Sequence, residues 1–200
     1  MTQLFSSVTE QYISFVAGLL IIAAQLILLR DVYQGKMRPS LLSWLGWALL
    51  MGTSLLSQIA GIGWQWSLTG LLLSTIGCFA IFFLSFIINN YQVSKGDGVF
   101  LLLGLVCLCI YVVSEDPVIT TVFAILADFV AGIPTILSAY KKPEMQKTSA
   151  WYFGFISWSF SLLLCFGHEW LYALFPVYLF LYNGAMVYLT MIRKKTALQH

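Results

Sequence analysis

Asp128 is an acidic residue in the middle of a long apolar stretch, PVITTVFAILADFVAGIPTIL, which covers residues 117–137. A carboxylate surrounded by hydrocarbon has a high free energy, so it must be hydrated, paired with a donor or protonated. Reversible proton binding beside a transported solute is one chemistry that this position supports. The alternative is a permanently neutral side chain that hydrogen-bonds to a neighbouring helix and stabilises packing.

The helical face that carries Asp128 is small and polar, since Ala131, Gly132 and Thr135 follow at helical spacing. Such a face is typical of a pathway lining, and we predict that Thr135 contributes to it. Pro134 lies six residues beyond Asp128 and removes one backbone hydrogen bond from the helix. It predicts either a hinge or a static kink that a neighbouring helix satisfies.

Asn183 and two tryptophans are the other candidates for solute binding. Asn183 lies in the last apolar stretch next to Gly184, so it predicts either a hydrogen bond to a solute or one across helices that approach closely at the glycine. Trp47 and Trp158 lie inside apolar stretches, where an aromatic face could stack on a flat solute. Five further tryptophans lie near the ends of such stretches and are interpreted as anchors at the membrane interface: Trp44, Trp64, Trp66, Trp151 and Trp170.

The composition indicates which solvent these elements face. Hydrophobic residues make up 60% of the 200 residues and charged residues only 9%, whereas soluble domains carry about a quarter charged residues. A water-soluble fold would therefore lack polar surface. The composition predicts an all-α integral membrane protein.

The apolar stretches predict seven transmembrane helices, because a helix needs roughly 20 mostly apolar residues to cross the hydrocarbon core. The predicted spans are 13–30, 40–60, 65–88, 98–114, 117–139, 149–167 and 170–192. With seven spans, all ten Lys and Arg residues fall in the loops on one side or in the tail, and none falls on the other side. The positive-inside rule then predicts a cytoplasmic carboxyl terminus and an external amino terminus.

An internal repeat appears when the chain is aligned with itself at an offset of 107 residues. Tyr33 then matches Tyr140, and Trp44 matches Trp151, so that in both copies a basic loop separates the first helix from a tryptophan eleven residues later. The basic loops lie on the same predicted side, and the two copies are therefore parallel. We predict a 3+1+3 organisation, with repeats at 13–88 and 117–192, a linker helix at 98–114 and a tail at 193–200.

The segment AGIPTILSAYKKPEMQKTSAWYFG, residues 131–154, together with the 3+1+3 layout, resembles the PQ-loop superfamily, which includes the SWEET sugar transporters. The resemblance implies transport of a small solute between two three-helix units. In this chain Thr135 stands where the family's Gln would follow Pro134, and Ile27 and Leu28 replace the Pro-Gln pair in the first repeat. The family's Asn on the third helix of each repeat corresponds here to Ile76 and Asn183.

Other function classes fit the residue inventory less well. The two histidines, His168 and His200, lie outside the spans, and Asp128 has no second carboxylate nearby in the sequence, so an intramembrane catalytic dyad or metal site is not expected. We predict no enzyme activity, no cofactor, no metal and no nucleic-acid partner. The expected function is a transporter of a small polar solute in the inner or plasma membrane, with proton coupling through Asp128 and lipids as its other partners. A receptor, scaffold or assembly factor is the alternative, and oligomerisation is left open.

Overall fold

The structure, a computed structural model, describes residues 6–39, 41–91, 97–114, 116–141 and 143–193. This part of the chain consists of helices joined by short turns and loops, without strands. Its α-helices are α1 (Ser7–Tyr33), α2 (Leu41–Ile62), α3 (Thr69–Ile87), α4 (Asp97–Ser114), α5 (Pro117–Lys141), α6 (Ala150–Leu163) and α7 (Leu171–Val187). Short 3₁₀ turns at Trp66–Leu68 and Pro143–Gln146 precede α3 and α6, and a π-helical turn, Tyr188–Ile192, follows α7.

Capping groups mark the starts of α1 and α5 and the end of α1. The side chain of Ser6 accepts a hydrogen bond from the amide of Thr9 at the start of α1, and Oδ1 of Asp116 accepts from the amide of Val118 ahead of α5, as N-caps do. Gly35 follows α1 with φ at +69°, a conformation that glycine adopts without strain. These signals explain why short polar loops separate the apolar helices.

Five helical segments of the described residues are long and apolar enough to cross a membrane: Ser7–Tyr33, Leu41–Ile62, Trp66–Ile87, Pro117–Lys141 and Leu171–Ile192. The predicted membrane character is thereby confirmed. The predicted sixth span, 149–167, is α-helical only over the 14 residues of α6. The chain turns after Leu163, and Gly167 adopts a φ of +90° that ends the helical path. The predicted tail, 193–200, lies outside the described residues apart from Arg193.

The helices pack in a defined order. Helix α3 contacts both α1 and α2, and α7 contacts both α5 and α6. Between these two sets, α1 packs against α6 and α2 packs against α5, while α4 lies against α2 and α5.

Small and hydroxyl-bearing residues allow these helices to approach closely. Oγ of Ser157 on α6 donates to the carbonyl oxygen of Ala17 on α1 at 2.7 Å, and Oγ of Ser54 on α2 bonds to Oγ1 of Thr121 on α5 at 3.2 Å. Gly61, at the end of α2, lies so close to the ring of Pro117 that a Cβ there would overlap it. Hydrogen bonds and close packing of this kind hold helices together in a membrane, because moving an apolar side chain from lipid to a helix interface gives no hydrophobic gain.

Candidate functional site

Asp128 projects from α5 into the interior of the bundle and is only 5% exposed. The hydroxyl of Tyr178, on α7, donates a hydrogen bond to its Oδ2 at 2.5 Å. Its other oxygen, Oδ1, has no hydrogen-bond partner among the described residues. The sequence identified the carboxylate but not Tyr178, although a hydroxyl in the last apolar stretch was a visible signal.

A cavity of about 90 Å³ is lined in part by Asp128 and lies between the two sets of helices. One water molecule needs about 10–15 Å³ of such space, so the cavity has room for several waters or a small solute. All helices of both sets contribute to its wall. Four of the five predicted binding residues line it: Asp128, Asn183, Trp47 and Trp158.

Thr135 is the predicted binding residue that does not line this cavity. Thr135 instead lies within hydrogen-bonding reach of the hydroxyl of Tyr182, which itself lines the cavity. Pro134 lies within α5, and its side chain is outside the described part of the structure. Its hinge role stays a prediction.

Asn183 reaches the cavity from α7 with one end of its amide already bonded. Its Nδ2 donates to the carbonyl oxygen of Leu179 one turn earlier at 2.7 Å. Its Oδ1 lies directly over Gly154 of α6, where a Cβ would overlap it. The missing side chain at Gly154 therefore makes room for the amide.

Five aromatic residues line the cavity, and we call them the aromatic wall: Trp44, Trp47, Trp151, Trp158 and Tyr182. Trp44 and Trp47 lie 5.2 Å apart between ring centroids, and Tyr182 contacts Trp47 at 6.5 Å and Trp151 at 6.3 Å. Each of these three pairs is inclined by more than 60°. The rings therefore line the cavity at steep angles to each other instead of forming one flat stack.

Trp44 and Trp151 are not interfacial anchors, contrary to the prediction from their positions near helix ends. They are 6% and 7% exposed and face the cavity. The reason is the rotation of α2 and α6 about their axes, which turns these side chains inward. Of the other three predicted anchors, Trp64, Trp66 and Trp170 remain exposed, as that role requires.

Three polar atoms of lining residues are buried without a hydrogen-bond partner in the described structure: Oε1 of Gln25, Nε1 of Trp47 and Oδ1 of Asp128. Buried polar groups are nearly always bonded, to protein or to something held beside them. Sequence analysis missed Gln25, an amide in the middle of the first apolar stretch. These three atoms are two acceptors and one donor, and all three belong to residues that line the cavity.

The cavity is displaced towards one end of the bundle. Helix α1 lines it with residues from Ile21 to Leu28, α2 with residues from Trp44 to Met51 and α6 with residues from Ala150 to Trp158. These positions lie in the half that ends in the basic loops. At the opposite end, Nε2 of His168 lies 2.8 Å from Oε1 of Glu10, and both side chains are less than 10% exposed.

Comparisons with models of protein families, with curated proteins and with solved structures find no match. The resemblance to the PQ-loop superfamily therefore stays a prediction. The described residues contain no group of three or more His, Cys, Asp or Glu side chains that could hold a metal ion. The candidate site therefore consists of the cavity, the buried carboxyl group of Asp128 and the aromatic wall.

Proposed function

We propose that the protein transports a small polar solute across the membrane by alternating access between two units, α1–α3 and α5–α7, with α4 as the linker helix. The observation that carries the proposal is the cavity between the two sets of helices, which is lined by three residues that each have a buried polar atom without a described partner. Transporters with repeated units bind their substrates near the bilayer midplane at the interface of the repeats. A transport pathway needs a cavity of this kind in which the solute can bind.

The pattern of helix contacts supports a parallel repeat. In each unit the third helix contacts the first and the second, and each unit's first helix contacts the other unit's second helix. The offset of 107 relates individual contacts as well: Glu10 corresponds to Pro117 and Gly61 to His168. The contact between Glu10 and His168 is therefore equivalent, under the repeat, to the contact between Gly61 and Pro117.

These two related contacts provide a seal at the end of the bundle where α1 and α5 begin. Tyr172 adds to it with a hydrogen bond from its hydroxyl to the carbonyl oxygen of Gly63 at 3.2 Å. If the basic loops are cytoplasmic, the seal is external and the cavity extends towards the cytoplasm. We propose this orientation, in an inner or plasma membrane, with the external seal closed.

Alternating access then requires the two units to tilt so that the seal opens and the cytoplasmic half closes. In the proposed cycle the helix pairs α1–α6 and α2–α5 are the surfaces along which the units move. Pro134 lies in one of these helices and would allow it to bend. The aromatic wall belongs to both units and would close around the solute when they approach each other.

Proton coupling through Asp128 is part of the proposal. The carboxylate lines the cavity, and its Oδ1 has no partner among the described residues, so a proton or a solute could occupy the same place. Binding of either then determines which conformation is favoured, because a ligand shifts a conformational equilibrium by its difference in affinity for the two states.

The test is flux into liposomes that contain the purified protein, with and without a pH gradient. We expect uptake of at least one solute class that protein-free liposomes do not show, and we expect Asp128→Asn to abolish its response to the pH gradient. Glu169→Gln is the matched control, because Glu169 is an exposed carboxylate outside the cavity. An unchanged pH response in Asp128→Asn would refute coupling through this residue. Binding without any flux would favour the alternative of a receptor, scaffold or assembly factor.

A further inference from the structure

We propose that the solute is a small organic cation, a protonated amine or a quaternary ammonium ion, held between Asp128 and the aromatic wall. The inference rests on the proposed function in that it names the substrate class of the same cavity. Three independent features of the wall support it: its charge, its shape and its hydrogen-bonding groups.

The only charge that the described lining residues can supply near neutral pH is negative. Asp128 is the lining residue whose side chain is ordinarily ionised at neutral pH, and no described Lys, Arg or His lines the cavity. An ionised carboxylate buried without a counter-charge is strongly disfavoured. A cationic ligand supplies that counter-charge directly, whereas an anion would add a second uncompensated charge.

The shape of the aromatic wall suits a rounded cationic group. The rings of Trp44 and Trp47 are inclined by 77°, those of Trp47 and Tyr182 by 75°, and those of Trp151 and Tyr182 by 62°. A flat sugar or base would stack on one ring face, but rings inclined to each other enclose a group from several directions. Tryptophan and tyrosine faces attract ammonium groups within about 6 Å, and aromatic cages recognise quaternary ammonium ligands in this way.

The unpaired hydrogen-bonding groups favour a donor ligand. Oδ1 of Asp128 and Oε1 of Gln25 are acceptors, and Nε1 of Trp47 is a single donor. An ammonium group with N–H bonds can satisfy the acceptors. A zwitterionic amino acid fits poorly, because no described basic side chain lines the cavity to receive its carboxylate.

Equilibrium binding to the purified full-length protein tests the inference with ligands of matched size. One series is butylammonium, butan-1-ol and butanoate, and the other is choline with its uncharged isostere 3,3-dimethylbutan-1-ol. Calorimetry and tryptophan fluorescence are independent readouts. We expect at least one of the two cations to bind about ten-fold or more tightly than its uncharged isostere, and butanoate not to bind.

Variants locate the binding. Asp128→Asn should weaken cation binding by about ten-fold or more, and Trp47→Leu tests the aromatic wall separately should the first variant fail to fold. Glu169→Gln should leave the affinity unchanged. Equal affinity for a cation and its isostere, or no binding of either cation by folded protein, would overturn the inference.

Flux measured on the same preparations separates this inference from the proposed function. Cation binding without flux would uphold the substrate class and reject transport. Flux of a neutral solute such as glucose, without cation binding, would uphold transport and reject the cation. Binding of a cation together with flux of the same cation supports both the substrate class and transport.

Discussion

Glu10 and His168 form a buried pair, with Oε1 of Glu10 2.8 Å from Nε2 of His168. Glu10 lies in the first turn of α1, and His168 lies between α6 and α7, so the pair joins the two units at the end away from the cavity. Its repeat-related counterpart, Gly61 against Pro117, is purely steric. The seal is therefore polar on one side of the bundle and apolar on the other.

Replacing His168 with alanine should open this seal. Removal of one partner from a buried pair costs about 3–5 kcal/mol, because the other group is left unpaired. We expect a cysteine placed at Ser14, which is 2% exposed beneath the pair, to react several-fold faster with a membrane-impermeant maleimide once the four native cysteines have been replaced. Glu169→Gln is the control, and an unaltered labelling rate in His168→Ala would show that the pair does not seal this end.

Tyr178→Phe should destabilise the protein through Asp128. The substitution leaves both carboxyl oxygens without a described partner, and leaving a buried polar group unsatisfied costs about 1–3 kcal/mol. We expect the unfolding free energy in detergent to fall by roughly this amount. A double-mutant cycle with Asp128→Asn should give a coupling of at least about 0.5 kcal/mol.

Tyr12→Phe is the matched control for that cycle, because the ring of Tyr12 lies on the outside of α1 and is 70% exposed. Strict additivity of Tyr178→Phe and Asp128→Asn would mean that the 2.5 Å hydrogen bond does not contribute to stability.

Gly154→Ala should reduce the cavity. The new methyl group would overlap Oδ1 of Asn183 and force the amide towards the space that the solute needs. Overpacking of this kind costs about 1–3 kcal/mol, so we expect both a lower melting temperature and weaker ligand binding. Gly98→Ala, in the first turn of α4, meets nothing within 4 Å and should change the stability by no more than about 0.5 kcal/mol. Equal effects of the two substitutions would contradict this packing.

The sidedness of single cysteines distinguishes seven spans from five. With seven, cysteines at Gln34 and Lys147 should be labelled from the same side of the membrane, and a cysteine at Glu169 from the other side. If α4 and α6 did not cross, Gln34 and Lys147 would lie on opposite sides. All three positions are exposed, so impermeant maleimide labelling of sealed vesicles answers the question.

Features that depend on composition and local order were readable from the sequence. The membrane character follows from apolar stretches of helical length, and the helix ends follow from caps such as Asp116 and Gly35, because each depends on neighbouring residues alone. Asp128 was identifiable as well, since a carboxylate in such a stretch is conspicuous whatever surrounds it. Asn183, Trp47 and Trp158 were chosen from their depth within predicted helices, and depth follows from the rise of the helix.

Only the tertiary structure decided which side chains meet. Tyr178 is 50 residues from Asp128 and His168 is 158 residues from Glu10, and no local pattern specifies such a pair. The rotation of each helix about its axis, which turns Trp44 and Trp151 inward, results from packing against helices distant in sequence. Hydropathy indicates which segments lie in the membrane. Contacts across the bundle determine whether a residue of such a segment faces lipid or the cavity.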